Sequence, residues 1–378
     1  MTENLTGAGF GRLEFRDPER IAALRKKISQ LCRNVKKPIS IMHVCGSHEQ
    51  SIARFGLRSL LPPELNVIMG PGCPVCITDV PEVDEAIAIA RQGAIVATFG
   101  DMFRVPGSCF SLEQVKAQGA DVRVVYSPSE ALKLALESKG EVVFFASGFE
   151  TTAVATAAVV LANPPANFSV LSAHKYIPPV MEIVAEMPGT RVEGFLAAGH
   201  AATITGWGVF ERFVSRHKIP VVTGGFEPLD VLAALAALVE LVVAGEAAVE
   251  NAYPRCCTKE GNLAAQKLLW EVFESEGGMW RGIAHVPNGN LRLRSRYRSF
   301  DSRQRFDLTP DLCQEDSLQP LTLECICGNI MAGIQSPKDC RLFGMECTPQ
   351  SPVGACMVSA EGTCKIWHEY GGHLIIAE

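Results

Sequence analysis

The sequence predicts an α/β protein: two Rossmann-like α/β domains with parallel sheets, followed by a small cysteine-rich domain. Three observations carry this reading. Short β-branched apolar runs alternate with glycine-bearing turns and helix-like stretches. Apolar residues make up 47% of the 378 positions against 20% charged, which is ample for ordinary cores in two or three domains. Six of the 14 cysteines then crowd into positions 325–364.

Taken in order, the runs read as strands are 38–44, 66–69, 94–98, 121–126, 141–146, 167–172, 192–197 and 220–223. They are apolar almost throughout, as strands of a parallel sheet are when helices cover both faces. So many strands exceed what one sheet with long crossovers holds comfortably. The chain is therefore divided at the turn-like Ser127-Pro128-Ser129, giving domains 1–126 and 127–300. Gly-Phe-Glu follows two of the strands, at 148–150 and 225–227, and reads as a strand-to-helix turn with an acid at the helix N-terminus. The longest apolar stretch, 231–245, contains Glu240 and is shorter than the roughly 20 residues of a membrane span, so it reads as a buried helix. Cys, Pro and Gly dominate the third domain, 301–378.

The net charge of -6 leaves no overall basic field, and the cationic run 292–305 is interrupted by Phe300 and Asp301. That run reads as a solvated or interdomain segment, so neither nucleic acid nor membrane is expected as a partner. The sequence carries no secretory signal, and a cytoplasmic location is expected. In a large, apolar-rich chain of that kind, thiols bind metal or carry redox chemistry more often than they staple the fold.

Cys45 follows an apolar strand and precedes Gly-Ser-His-Glu, a helix start. A thiol there is expected to have a lowered pKa, because the backbone N–H groups and the helix dipole favour the thiolate, a good nucleophile and soft-metal ligand. His43 and His48 flank it as candidate ligands or proton carriers, although His48 also fits a solvent-exposed helix position. Cys73 and Cys76 form Cys-Pro-Val-Cys after the 66–69 strand, the context of a redox dithiol or a metal-handling pair. Asp101 and Arg104 lie in another strand-end loop and add charge to the same crevice. Cys32, Cys109, Cys256, Cys257 and Cys313 have no motif context and read as inert thiols. The tail spacing C-x-C-x12-C-x6-C-x8-C-x7-C matches neither a zinc ribbon nor a bacterial ferredoxin. Four thiolates on an iron-sulfur cluster would leave two for a dithiol pair; a structural zinc site with two spare thiols also fits.

Over nearly its whole length the chain resembles the HypD family of [NiFe]-hydrogenase maturation proteins. The carrying motifs are MHVCGSHE (42–49), GPGCPVC (70–76), GFETT (148–152), GGFEPLD (224–230), WRGIAHVPNGNLRLR (280–294) and FGMECTPQSPVGACMVSAEGTC (343–364). The resemblance implies a scaffold on which, with a small HypC-type partner, an iron carrying two cyanides and one carbon monoxide is assembled for the hydrogenase large subunit. HypE and HypF supply the cyanides. It further implies that Cys45 ligates this transient Fe(CN)2CO iron, with His48 as the histidine of the same motif and Cys73 and Cys76 as the thiol pair beneath. By likeness to ferredoxin:thioredoxin reductase, Cys325, Cys340, Cys347 and Cys364 are implied as [4Fe-4S] ligands and Cys327 with Cys356 as the adjacent redox disulfide. Electrons would then pass from the cluster through that disulfide to Cys73/Cys76. Two departures stand out: GFETTAVA replaces GFETTTP, and AAGHAATITG (197–206) departs from the family's APGHVS-type segment while keeping His200. The competing reading is a free-standing iron-sulfur-dependent thiol-disulfide oxidoreductase. It assigns no role to Cys45 and its two histidines.

Overall fold

The computed structural model describes residues 17–33, 35–308 and 324–371; Cys313 lies outside them. Strands form where the runs predicted them: β1 (Ile39–His43), β2 (Leu65–Met69), β3 (Ile95–Thr98), β4 (Val122–Val124), β5 (Val142–Gly148), β6 (Phe168–His174), β7 (Gly194–Ala198) and β8 (Val221–Gly224). Three more follow: β9 (Val249–Asn251), β10 (Phe273–Trp280) and β11 (Ala284–Leu293). These were not legible because β9 is three residues long and partly exposed, and the β10–β11 hairpin is largely polar.

Two parallel sheets result, in the orders β2-β1-β7-β8-β9 and β4-β3-β5-β6. The chain leaves the first sheet after β2, builds the whole second sheet, and returns with β7. The strands therefore do not sort by the sequential division into 1–126 and 127–300: β3 and β4 pair with β5 and β6, and β7 and β8 with β1 and β2. Ser127-Pro128 is not a linker. Ser127 caps the helix Pro128–Glu137, its side chain accepting from the Glu130 N–H, and Pro128 occupies the first turn, where its missing N–H costs nothing.

β1, β5, β6 and β7 are buried at every position, which is why they read as unbroken apolar runs. All of the 231–245 stretch but its last residue, Gly245, which caps the end, lies within the helix Pro228–Ala244, one side of it packed on β1, β7 and β8. Among the described residues no helix is long and apolar enough to cross a membrane. The cationic run folds back onto carboxylates: Arg292 on Glu82 (3.4 Å), Arg303 on Glu85 (2.5 Å) and Arg305 on Glu141 (2.6 Å).

The segment 324–371 consists of short helices, among them Cys327–Met331, Ala355–Val358 and Thr363–Tyr370. Its buried Met331, Ala355, Cys356 and Met357 belong to the same apolar cluster as Met42, Cys73, Val96 and Phe145. The cysteine-rich segment is thus packed into the core that both sheets share.

Candidate functional site

In an open parallel sheet, ligands bind beyond the strands' carboxyl ends, where successive crossovers diverge and leave a crevice. The first sheet diverges between β1 and β7, the second between β3 and β5. The residues just past these ends are Cys45, His200, Asp101 and Glu150.

Cys45 caps the helix Gly46–Arg54 and is 2% exposed. The expected low pKa is not found. Burial foremost, then the charge of Glu361, push the thiol up to about 12 against the N–H groups of His48 and Ser47 that favour the thiolate. Dehydration of an anion here outweighs the helix terminus. The Gly-Pro-Gly-Cys loop threads beside it: the Gly46 N–H donates to the Gly72 carbonyl (3.0 Å), and a Cβ on Gly72 would fall 2.1 Å from the Cys45 nitrogen. Only glycine permits that approach.

His48 is fully buried, which overturns its reading as a solvent-exposed residue. Its Nε2 lies 2.9 Å from the Gly225 carbonyl and 3.3 Å from that of Gly224, so Nε2 carries the proton and donates. Nδ1 is then a lone-pair nitrogen, buried and without a partner. Burial, then the charge of His43, lower the His48 pKa to about 3, so the ring stays neutral and able to ligate or accept. Phe226 lies between His48 and His200, its ring centre 4.8 Å and 5.3 Å from theirs.

Behind this first layer is a network the sequence did not reveal. His43 places Nδ1 3.1 Å from the Cys45 carbonyl and Nε2 2.8 Å from the buried Glu49 carboxylate. Arg58 donates to both Glu49 oxygens (2.8 and 2.7 Å), and the Trp367 indole N–H donates to Oε1 (2.7 Å). Burial would push the Glu49 carboxyl up; Arg58 and His43 overcome it and hold it well below the usual carboxylate range. Glu49 stands in the CGSHE motif itself, but no spacing rule connects it to Trp367.

Cys73 and Cys76 form a disulfide with Cα atoms 5.3 Å apart, at the start of the helix Pro74–Ile77. Cys76 Sγ lies 3.9 Å from the Ala355 carbonyl, one residue from Cys356. Asp101 and Arg104 do reach a sulfur-bearing segment, though as anchors. Asp101 accepts from the Ser359 hydroxyl (2.9 Å) and the Ala360 N–H (3.1 Å), and Arg104 donates to the Pro349 and Gln350 carbonyls (3.1 and 3.0 Å). Glu150 is buried with Oε1 accepting from the Ile177 N–H (2.9 Å) and Oε2 unpartnered; burial raises its pKa to about 7. Glu227, in the second Gly-Phe-Glu, is a helix cap in a capping box with Asp230, as its turn position predicts.

In the tail, Cys325 and Cys327 bring their sulfurs within 3.1 Å, and Cys327, Cys356 and Cys364 hydrogen-bond to one another. Those bonds pull the Cys364 thiol down to about 6. Cys347 accepts from the Val353 N–H (3.4 Å) and feels the charges of Cys327 and Cys325. Cys340 packs on the same core, half-buried, without a sulfur contact to this group among the described residues. A Cβ on Gly354 would fall 2.5 Å from both Cys325 Sγ and Cys327 Sγ, so the loop is shaped to the sulfurs. Among the described residues no three His, Cys, Asp or Glu side chains converge tightly enough for a single metal ion. Of the other thiols, Cys109 is disulfide-bonded and so not the inert free thiol expected, Cys32 and Cys257 are buried, and Cys256 is exposed.

The HypD family model, described as the hydrogenase formation hypA family, matches residues 19–371. The chain belongs to the HypD family. It is 45% identical to a hydrogenase expression/formation protein of Methanocaldococcus jannaschii over 348 residues, 91% of this chain and 95% of that one. It is 41% identical to hydrogenase maturation factor HypD of Cupriavidus necator and 39% to that of Escherichia coli K12, covering 95% and 94% of this chain and 96% and 97% of theirs. The motifs around Cys45 and Glu150 fall at the divergence crevices and that of 343–364 in the packed tail, whereas 280–294 forms the β10–β11 hairpin.

Proposed function

We propose that the chain is a hydrogenase maturation scaffold on which, together with a small HypC-type partner, the Fe(CN)2CO unit of [NiFe]-hydrogenase is assembled for the large subunit, with HypE and HypF delivering cyanide. The observation that carries this reading is the contact of Cys45 with the GPGC loop, which sets one soft ligand beside a disulfide-bonded pair at the switch point of a sheet. In this reading Cys45 and a partner cysteine hold the incoming iron as substrate. Thiolate donors suit a ferrous centre carrying strong-field ligands, and metal binding releases the proton that the buried thiol otherwise keeps. The neutral His48, with Nδ1 open, serves as a further donor or proton acceptor. Reduction of Cys73–Cys76 takes up two electrons and two protons and yields two thiols beside Cys45.

The tail donors suit an iron-sulfur cluster: several thiols face one another, and a glycine keeps their loop clear. We assign Cys325, Cys340, Cys347 and Cys364 as [4Fe-4S] ligands and Cys327 with Cys356 as the neighbouring redox pair. Cys327 and Cys356 lie next to each other in the same group of sulfurs as Cys364, as that assignment requires. When bound, such a cluster supplies single electrons at this place. Every thiol of the pair and of Cys73–Cys76 packs in one apolar cluster, away from competing oxidants in bulk water.

The test is an infrared spectrum of the protein purified anaerobically with its co-expressed small partner, set against Cys45→Ala. Cyanide and carbonyl bands that vanish in the variant support the scaffold reading. A wild-type complex with iron and sulfide but no such bands, turning over disulfides through Cys73 and Cys76, supports the oxidoreductase instead.

A further inference from the structure

The Trp-Arg-Gly motif at 280–282 has no part in the function above. Trp280 and Ala284 pair at the end of the β10–β11 hairpin, so Arg281, Gly282 and Ile283 form its tip. The tip is inserted between the sulfur-bearing segments. The Arg281 N–H donates to the Ile77 carbonyl (3.0 Å), in the helix that Cys73 caps, and its Nη2 donates to the Pro106 carbonyl. On the other side, a Cβ on Gly328, the residue after Cys327, would fall 2.0 Å from the Gly282 carbonyl oxygen. The hairpin tip and the Cys327 turn are therefore in backbone contact.

Among the described residues, Arg281 faces two carboxylates without a close ion pair. Its Nε is buried without a partner, and no carboxylate forms an ion pair with it among the described residues. Asp79 and Asp84 are the carboxylates that face it, and both are held by neutral donors: Asp79 accepts from the Val80 N–H (3.0 Å) as a helix cap, and Asp84 accepts from the Ser108 N–H (2.8 Å) and hydroxyl (2.6 Å). The strongest opposing pull on the guanidinium comes from Cys327, ahead of both aspartates, with Cys325 after them. A guanidinium is always charged, and a buried charge needs an anion. A cluster bound at Cys325 would be a further anion beside it, in addition to Asp79 and Asp84.

We propose that Arg281 is a positioning residue for the iron-sulfur site: its positive charge, on the hairpin tip that contacts the Cys327 turn, favours the reduced, more negative state of the cluster that Cys325 is assigned to hold. This rests on the cluster reading of the tail. The biased step is the gain of one electron, supplied in the test by dithionite, with no bond made or broken. Full-length wild type, Arg281→Gln and Arg281→Lys, purified anaerobically, are titrated against potential with electron paramagnetic resonance as the readout. Iron and acid-labile sulfide are measured alongside. The expected result is that Arg281→Gln keeps its cluster while its reduced-to-oxidised ratio at fixed potential falls about tenfold, a midpoint about 59 mV lower for a one-electron couple. Arg281→Lys stays near wild type. An unchanged midpoint in Arg281→Gln, an equal fall in Arg281→Lys, or loss of the cluster from either variant overturns the inference and leaves Arg281 a packing residue. Wild type without iron and sulfide overturns the cluster reading itself, and this inference with it.

Discussion

The indole N–H of Trp367 donates to Oε1 of the buried Glu49 at 2.7 Å, across 318 residues of sequence. The same carboxylate holds His43, whose other ring nitrogen faces the Cys45 carbonyl. A chain of three hydrogen bonds thus joins the cysteine-rich tail to the backbone of the candidate iron ligand.

Trp367→Phe keeps an aromatic ring, though a smaller one, and deletes that donor. Losing one partner of a buried carboxylate costs about 1–3 kcal/mol. The urea midpoint is expected to fall accordingly, and Cys45, now 2% exposed, to alkylate faster with iodoacetamide. Equal midpoints and equal labelling would mean that the tail is anchored by other contacts.

Gly72→Ala drives a methyl group into the Cys45 backbone, which lies 2.1 Å from the position of the new Cβ. Neither loop can yield freely, because Gly46 and Gly72 are hydrogen-bonded to each other. Overpacking of this kind costs about 1–3 kcal/mol. Thermal unfolding should show the loss, and iron-cyanide bands should weaken more than cluster content does. Wild-type stability in this variant would contradict the close approach.

Gly354→Ala places its methyl 2.5 Å from the sulfurs of both Cys325 and Cys327. Iron and sulfide per chain are expected to drop to less than half of wild type, while far-ultraviolet circular dichroism stays close to it. Full cluster content would show that these two sulfurs do not face Gly354 in the loaded protein.

Glu150 makes stability fall as pH rises. Its folded pKa of about 7 lies above the ordinary value of 4.5, because the carboxyl is buried with one oxygen unpartnered. Between those values the folded chain retains a proton that the unfolded chain has released. The penalty is therefore absent below about pH 4.5, grows as pH rises to 7 and levels off above it at about 3 kcal/mol. Glu150→Gln can keep the Ile177 bond and has no charge to bury. Urea midpoints of variant and wild type should coincide near pH 4.5 and diverge in favour of the variant by pH 7.5. A constant difference across that range would place the proton elsewhere.

Much of the fold could be read from local composition. A strand covered on both faces must be apolar throughout, so β1, β5, β6 and β7 announced themselves within a residue or two, and the shorter β-branched runs marked the other strands up to β8. The pieces of the site were equally legible, because CGSHE, GPGCPVC and GFETT each sit at a strand end where a ligand crevice needs turns and polar groups. Trp367, Arg58 and Arg281 were not. Their roles depend on partners far away in sequence, and a lone Trp or Arg has no spacing pattern.

By itself, then, the sequence determined the parallel α/β class, the positions of β1 to β8, the family and the three groups of thiols, all of which follow from local residue pattern. Tertiary structure alone decided which sheet each strand joins, since buried parallel strands are alike at their edges and β1 takes β7 as its neighbour on the other side from β2. It also decided the protonation of Cys45. A helix N-terminus favours the thiolate, but complete burial beside Glu361 raises the energy of that charge further, and burial is a property no stretch of sequence carries.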